Sequence, residues 1–396
     1  MSPQMSSDVL VIGRGLLGSA TARHLALENA KVTLIGPTEE QGLNSGKVFA
    51  SHYDQTRVQR IVAHDELWTR LNLDSVKSWS VLKDQTGTDF YEENGCIYAN
   101  NFLDDYLKSA PSLADKFGLE IHTVDSSLKL SEISPCLSIE APFFGLFEPK
   151  LAGMLNPRKL VSAQLQALKL LGGTELNDFV VDVSLSDGQW SVRTSTGMTH
   201  VAPQVVVAAG AFTNHFNLIP KALDFYNKSE VVIVSEVSES DYLKLKGMPS
   251  LLFEIKEDDF DGIYLTAPTK TADGRYIMKL GLNQKLDLNL NDYSNLVKWF
   301  NAGDYSEYAP VLVRERNRLF PEVKFLNSVL KPCVISRTVT ENPYIEEIAK
   351  GLFVAVGCNG YSAMSSDAQG RQAAALVTNG IFDIGYTKEN FKAAFK

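Results

Sequence analysis

Residues 8–36 read DVLVIGRGLLGSATARHLALENAKVTLIG, and the order of elements in this stretch decides the fold. Val9–Ile12 is an apolar run without polar alternation, as a strand buried on both faces requires. Gly13, Gly15 and Gly18 follow at GxGxxG spacing. The periodicity predicts a helix over Leu16–Leu27 and a second strand over Val32–Ile35. In such a unit the first glycine makes the tight turn, the second lets backbone approach a pyrophosphate, and the third lets helix pack on strand. The helix N-terminus offers free N–H groups and a positive dipole end to phosphates. Strand, glycines, helix and strand in this order point to a dinucleotide site rather than to a plain glycine-rich turn. The second strand of such a unit ordinarily ends in Asp or Glu, which binds the ribose hydroxyls. Here Gly36 and Pro37 stand at that point. Glu39, Glu40 or backbone groups are left to serve the ribose, and the motif suits NAD and FAD alike.

A chain of 396 residues buries a large core and is expected to form two domains, or one with a large insertion. Apolar content of 44% and charged content of 21% are those of a globular protein. A net charge of −9 argues against nucleic acid or an anionic membrane as the main partner. Cys96, Cys136, Cys333 and Cys358 show no CxxC spacing, and the histidines form no HxH or HxxxH pair, so no metal site is expected. Free thiols and the absence of a leader-like or membrane-length apolar stretch predict a cytoplasmic protein.

Further along, residues 54–71 read as a basic, then amphipathic, helix, and residues 86–100 as a hairpin around Asn94-Gly95. A helix is predicted from Pro157 to Leu171, opened by Asn156 and closed by Gly172-Gly173. Strands are expected at Phe179–Leu185, Trp190–Thr194 and Val205–Ala209. Residues 229–282 alternate as an antiparallel sheet does. Residues 289–318 return to helix, and the tail holds a buried strand at Gly351–Val356 and a helix over Ser365–Val377. The expected fold is mixed α/β. A Rossmann-type nucleotide domain is assembled from discontinuous segments, 1–90, 150–220 and 330–396. An antiparallel-sheet substrate domain, 91–149 and 221–329, is inserted between them.

The segments VLVIGRGLLG, SHYDQTRVQR, GMLNPRKLVSAQLQALKLLGG, VVVAAGAFT, MKLG, LKPCVISRT and LFVAVGCNGYSAMSSDAQG occur in this order. In order and spacing the chain resembles the FAD-dependent amine oxidases of the D-amino-acid oxidase superfamily, and most closely monomeric sarcosine oxidase and pipecolate oxidase. The resemblance implies FAD as cofactor. It places flavin contacts at Gly13, Gly15, Leu16, Gly18, Ser51, Thr56, Val181, Ala209, Gly210, Gly357, Asn359 and Gly360. It implies a monomer that oxidises the C–N bond of a secondary or cyclic amine to an imine, with dioxygen reduced to hydrogen peroxide. Two other readings stay open: a dehydrogenase using a non-oxygen acceptor, and a non-catalytic nucleotide-binding module.

Arg57 and Arg60 stand three apart after His52 and Thr56. By themselves they suit a solvated helix start; the resemblance puts Arg57 under the flavin ring, Arg60 on the substrate carboxylate and His52 in the same motif. A planar guanidinium suits such a clamp. Lys279 interrupts an apolar strand, where an unpaired lysine costs several kcal/mol. It reads either as an edge lysine or, by the resemblance, as the residue that helps dioxygen accept electrons. Cys333, in Lys331-Pro332-Cys333, reads as a small buried hydrophobe or, by the resemblance, as a covalent flavin attachment. Arg337 is a candidate second carboxylate contact. Met364 stands where the resembling oxidases have a carboxylate-binding lysine, Ile335 where they have an aromatic pairing, and Asn283 where they have a histidine. The flavin site looks kept and the substrate pocket rewritten, so sarcosine itself is not the expected substrate.

Overall fold

A computed structural model describes residues 7–396. Its first layer is a six-stranded sheet in which Val9–Ile12 lies between Val32–Ile35 and Gln204–Val207, all parallel. Thr174–Leu176 extends it on one side and Leu352–Val356 on the other, and Tyr344–Ala349 closes it antiparallel. Strands from three distant stretches thus share one sheet, and every residue of Val9–Ile12 and Val32–Ile35 is buried. The helix Leu16–Leu27 covers this sheet and crosses Ser362–Asn379 closely enough that a Cβ on Gly370 would meet Ala20 at 2.6 Å. Buried Asp367 ties three helices together, accepting hydrogen bonds from Arg23 (2.7 Å), His24 (2.5 Å) and Ser78 (2.5 Å). Burial would raise its carboxyl, but the Arg23 charge and the hydrogen bonds from His24 and Ser78 hold it far below the usual range.

The second layer is a nine-stranded sheet. Its centre runs Phe325–Thr338, Phe225–Val237, Tyr276–Gln284, Phe260–Leu265 and Ser250–Glu254, each antiparallel to the next. Cys96–Asn100 then joins parallel to Ser250–Glu254. Residues 330–338, which carry Cys333 and Arg337, belong to this sheet. The chain is therefore the mixed α/β fold expected, a Rossmann-type domain with an antiparallel-sheet domain.

Four local expectations are corrected. Arg57–Gln59 is a strand, not a helix, and pairs antiparallel with Gly153–Leu155. The helix begins only at Glu66, where the Asp65 carboxylate caps the Trp68 N–H at 2.8 Å. Residues 91–100 form no hairpin: Tyr91–Glu92 pairs with Gly153–Leu155, whereas Cys96–Asn100 enters the large sheet. Long-range pairing overrides a good local turn there, and Asn94 donates instead to the Met248 carbonyl at 2.8 Å. The stretch 289–318 is two helices, Tyr293–Ala302 and Ala309–Leu319, parted by Gly303. The last long helix starts at Ser362, three residues earlier than its periodicity suggests. No helix among the described residues is long and apolar enough to cross a membrane.

Candidate active site

The glycines of the opening motif shape a cradle. Gly13 has φ +115°, and a Cβ there would strike the Ala208 carbonyl on the neighbouring strand. A Cβ on Gly18 would lie inside the Gly13 carbonyl oxygen, so strand and helix meet only because both positions lack side chains. A Cβ on Gly15 would meet nothing within 4 Å. That open space faces a cavity of about 140 Å³ lined by Gly13, Gly15, Leu16, Gly36, Ser51, Val180, Ala209, Gly210 and Gly357. A helix N-terminus with empty space over its middle glycine fits the pyrophosphate of FAD.

The missing acid at Gly36 has a steric cause. A Cβ at Gly36 would sit 2.5 Å from the Arg14 Cβ and 2.6 Å from its backbone nitrogen. Arg14 instead pairs with Glu175, on the next strand. Glu39 is not free to take the acid's place, because Arg158 holds it in a fork at 2.8 and 2.6 Å. Arg14 and Glu175 join Glu39 and Arg158 as charged groups at this end, and sequence singled out neither Arg14 nor Glu175; Arg14 lies within the glycine motif itself. Val181 falls at an irregularity of its strand, where the register breaks between Val180 and Asp182, and it is Val180 that lines the cavity.

Leu16 and Ser51 also border a second cavity, of about 220 Å³. Around it stand Arg57, Arg60, Cys333, Arg337, Asn359, Gly360 and Met364, residues brought together from the small sheet, the large sheet and the start of the last helix. Arg60 is buried, and its Nε and Nη1 atoms have no hydrogen-bond partner. Its guanidinium lies under the rings of Tyr106 (4.9 Å) and Tyr98 (5.6 Å), which fix its plane. Arg337 also has an unpartnered Nε. Two guanidiniums with unused donors on one cavity are what a carboxylate ligand requires.

Arg57 pairs with Asp54 and donates to the Ser51 carbonyl at 2.9 Å, and its Nη2 lies 3.9 Å from Cys333 Sγ. Lys279 is buried, paired with the same Asp54 at 2.7 Å, and donates to the Thr56 carbonyl. Burial and the Arg57 charge push its ammonium well below the ordinary lysine range, with Cys333 and Glu230 opposing. Lys279 lines neither cavity. The Thr56 hydroxyl accepts from Thr266 at 2.9 Å. Burial raises the Cys333 thiol, with Arg57 opposing.

His52 does not join this group. It borders a separate hollow with Arg14, Glu39 and Arg158, and burial together with those arginines lowers its pKa to about 3. It is a neutral packed histidine against Tyr53, ring centroids 4.8 Å apart, with no reacting group in reach. The Asn359 side chain is spent on structure: its Oδ1 accepts from the Thr338 N–H at 2.8 Å and its Nδ2 donates to the Glu341 carbonyl at 3.0 Å. That leaves the positive-φ turn at Gly357, Asn359 and Gly360 to shape the cavity wall with backbone.

Sequence reading missed Asp54, Glu230, Glu254 and Tyr264. Glu230 is buried on the second cavity, accepts from the Tyr264 hydroxyl, and its Oε2, without a hydrogen bond, lies 3.6 Å from Lys228 Nζ. Glu230 ends a polar run, Asn227-Lys228-Ser229, ahead of the apolar Val231–Val234, so nothing in its own strand marks it out.

The family described as "FAD dependent oxidoreductase" matches residues 8–376. Monomeric sarcosine oxidase from Bacillus sp. (strain NS-129) is 22% identical over 382 residues, 94% of this chain and 93% of that one. Human peroxisomal sarcosine oxidase is 25% identical over 207 residues, 52% of this chain and 51% of that one, so the match spans about half its length. Among solved structures, the open form of the amino acid oxidase NikD superposes with a TM-score of 0.78 at 16% identity, covering 98% of both chains. L-proline dehydrogenase from P. horikoshii gives 0.73 at 19% identity, covering 96% of this chain and 95% of that one. The parallel sheet, the glycine cradle and the family match over most of the chain agree: this chain belongs to the FAD-dependent oxidoreductase family.

Proposed function

We propose that this protein is an amine oxidase that converts the C–N bond of a secondary or cyclic amino acid to an imine, with dioxygen as acceptor and hydrogen peroxide as product. The observation that carries the reading is Arg60, a buried guanidinium with two unused donor nitrogens on the cavity beside the glycine cradle. The sarcosine oxidase relatives support an amine substrate, and the monomeric name of the Bacillus relative supports a monomer. FAD, when bound, would supply the two-electron redox chemistry that oxidation of the C–N bond needs. The cradle of Gly13, Gly15 and Gly18 would hold its pyrophosphate, with Leu16, Ser51, Ala209, Gly210 and Gly357 along its length. Arg60, with Arg337, holds the substrate carboxylate, and Met364 and Leu252 give the cavity apolar walls that exclude water. No strong base faces the cavity unpaired except carboxylates, so the amine enters as the neutral form.

Arg57 and Lys279 both pair with Asp54, and the Arg57 guanidinium, 3.9 Å from Cys333 Sγ, keeps a fixed positive charge beside that residue. Such fixed charge favours the anion that dioxygen becomes on gaining an electron. Lys279→Met is expected to lower the oxygen-dependent rate by about a hundredfold, the usual worth of one electrostatic contact, while anaerobic reduction by substrate stays near wild type. Oxygen uptake at the wild-type rate would contradict the role. A dehydrogenase using another acceptor is favoured by one observation, the fixing of Lys279 Nζ on Asp54 and Thr56 away from the cavity.

Cys333 borders the second cavity, and we assign it the flavin attachment. After acid precipitation the yellow colour is expected in the pellet for wild type and in the supernatant for Cys333→Ser. Free FAD released from wild type would remove the bond and leave the oxidase reading standing.

A further inference from the structure

The second cavity does not end at the arginines. It adjoins an outer cavity of about 290 Å³, and Arg60, Glu254, Arg337, Asn359 and Tyr361 border both. The flavin ring that Cys333 would hold takes part of the second cavity, and the outer chamber extends the space for a ligand beyond it. The outer walls carry four tyrosines, Tyr98, Tyr106, Tyr226 and Tyr361, together with His64, Thr338 and the exposed Glu341. Three of them are fixed. Tyr98 donates to Asp104 at 2.6 Å, Tyr106 donates to the Val62 carbonyl at 3.1 Å, and Tyr361 packs on Trp68 with centroids 5.0 Å apart.

Glu254 stands at the junction of the two chambers. It is half-buried, and among the described residues its carboxylate has no hydrogen-bond or ion-pair partner. Burial pushes this carboxyl up, with Arg60 pulling it back. The junction thus presents two guanidiniums with unused donors and one carboxylate with unused acceptors. A ligand bearing only a carboxylate would satisfy Arg60 and Arg337 and leave Glu254 facing a second anion. A ligand bearing a cation as well satisfies all three, and aromatic walls beside a carboxylate are a favourable setting for a cation.

We propose that the substrate is an extended diamino acid, its carboxylate between Arg60 and Arg337 and its second, non-reacting nitrogen held as a cation by Glu254 at the mouth of the tyrosine-lined chamber. This rests on the amine oxidase reading and names the substrate class for that site. The reacting nitrogen, in the inner cavity, is neutral; the second one stays protonated or quaternary and binds without reacting.

The test is binding rather than turnover. The probes are γ-butyrobetaine, whose quaternary nitrogen has no lone pair to support oxidation, and its isostere that keeps the carboxylate but has a neutral tert-butyl group in place of trimethylammonium. Dissociation constants are measured by calorimetry on the holoenzyme. Wild type is expected to prefer γ-butyrobetaine by about tenfold or more. Glu254→Gln, which removes no internal hydrogen bond, is expected to abolish the preference, weakening γ-butyrobetaine while the isostere, freed of the repulsion on its carboxylate, binds no more weakly than to wild type. Equal binding of both probes by wild type would overturn the proposal and leave the carboxylate clamp, and with it the oxidase reading, intact. Binding of neither would overturn the proposal and the clamp together.

Discussion

Gly18→Ala is expected to yield protein with almost no bound FAD and a loss of about 3 kcal/mol in stability, the upper end for overpacking. The added methyl would occupy the Gly13 carbonyl oxygen, which is backbone and has no rotamer to yield. Strand Val9–Ile12 and helix Leu16–Leu27 would have to part, and the turn that shapes the cradle would part with them. Gly15→Ala separates fold from cofactor. Gly15 has φ −87° and ψ −167°, which alanine adopts, and its Cβ would meet nothing within 4 Å. The variant is expected to keep wild-type circular dichroism while its flavin content falls, because the methyl fills the space that FAD would use. Flavin content per chain and a melting curve check both variants. Full FAD occupancy in Gly15→Ala would mean that the dinucleotide lies elsewhere.

Arg60→Met is expected to lower kcat/KM for the best amino-acid substrate by between about a hundredfold and a thousandfold. Two charge-assisted hydrogen bonds to a carboxylate are worth about 3–4 kcal/mol together. Because the carboxylate is held equally before and during reaction, most of the loss is expected in KM. Methionine keeps the apolar contact with Tyr98 and Tyr106 but leaves buried Glu148 without its nearby cation. Glu148 accepts from the Ile61 and Val62 N–H groups at 2.9 and 3.1 Å, which limits the damage to the fold. Arg60→Lys restores the charge without the fork and is expected to recover only part of the loss. An amine lacking a carboxylate should react equally with wild type and Arg60→Met, a comparison that structural damage alone would not satisfy.

The nucleotide half of the fold is written locally. Val9–Ile12, Leu16–Leu27 and Val32–Ile35 occupy the bounds that their patterns predict, because buried parallel strands and a following helix differ sharply in periodicity. Asn156 and Pro157 announce their helix for a similar reason, the N-cap hydrogen bond from Lys159 to Asn156 being a short-range contact. The site is written over long distances. Arg57–Gln59 is too short to show a period of two, and its partner strand, Gly153–Leu155, lies far along the chain. The hairpin expected at Asn94-Gly95 fails for the same cause, since both of its strands pair elsewhere.

Charges inside apolar strands mark the cavity only in pairs. Lys279 is conspicuous in its own strand, but its meaning depends on Asp54 and Arg57, which come from a loop and another sheet. Gly36 reads as a missing acid until Arg14 is seen crossing it. His52 reads as part of the arginine motif until its side chain is seen facing Arg158. Spacing finds which residue types are present; only the packing decides which of them share a cavity.

The most direct test of the account is anaerobic mixing of the purified yellow protein with a panel of N-alkyl, cyclic and diamino acids, following the visible flavin band. The expected result is bleaching by at least one carboxylate-bearing amine, with colour returning and hydrogen peroxide appearing when air is admitted. A protein that purifies without FAD, or whose flavin no amine bleaches, would contradict the amine oxidase assignment.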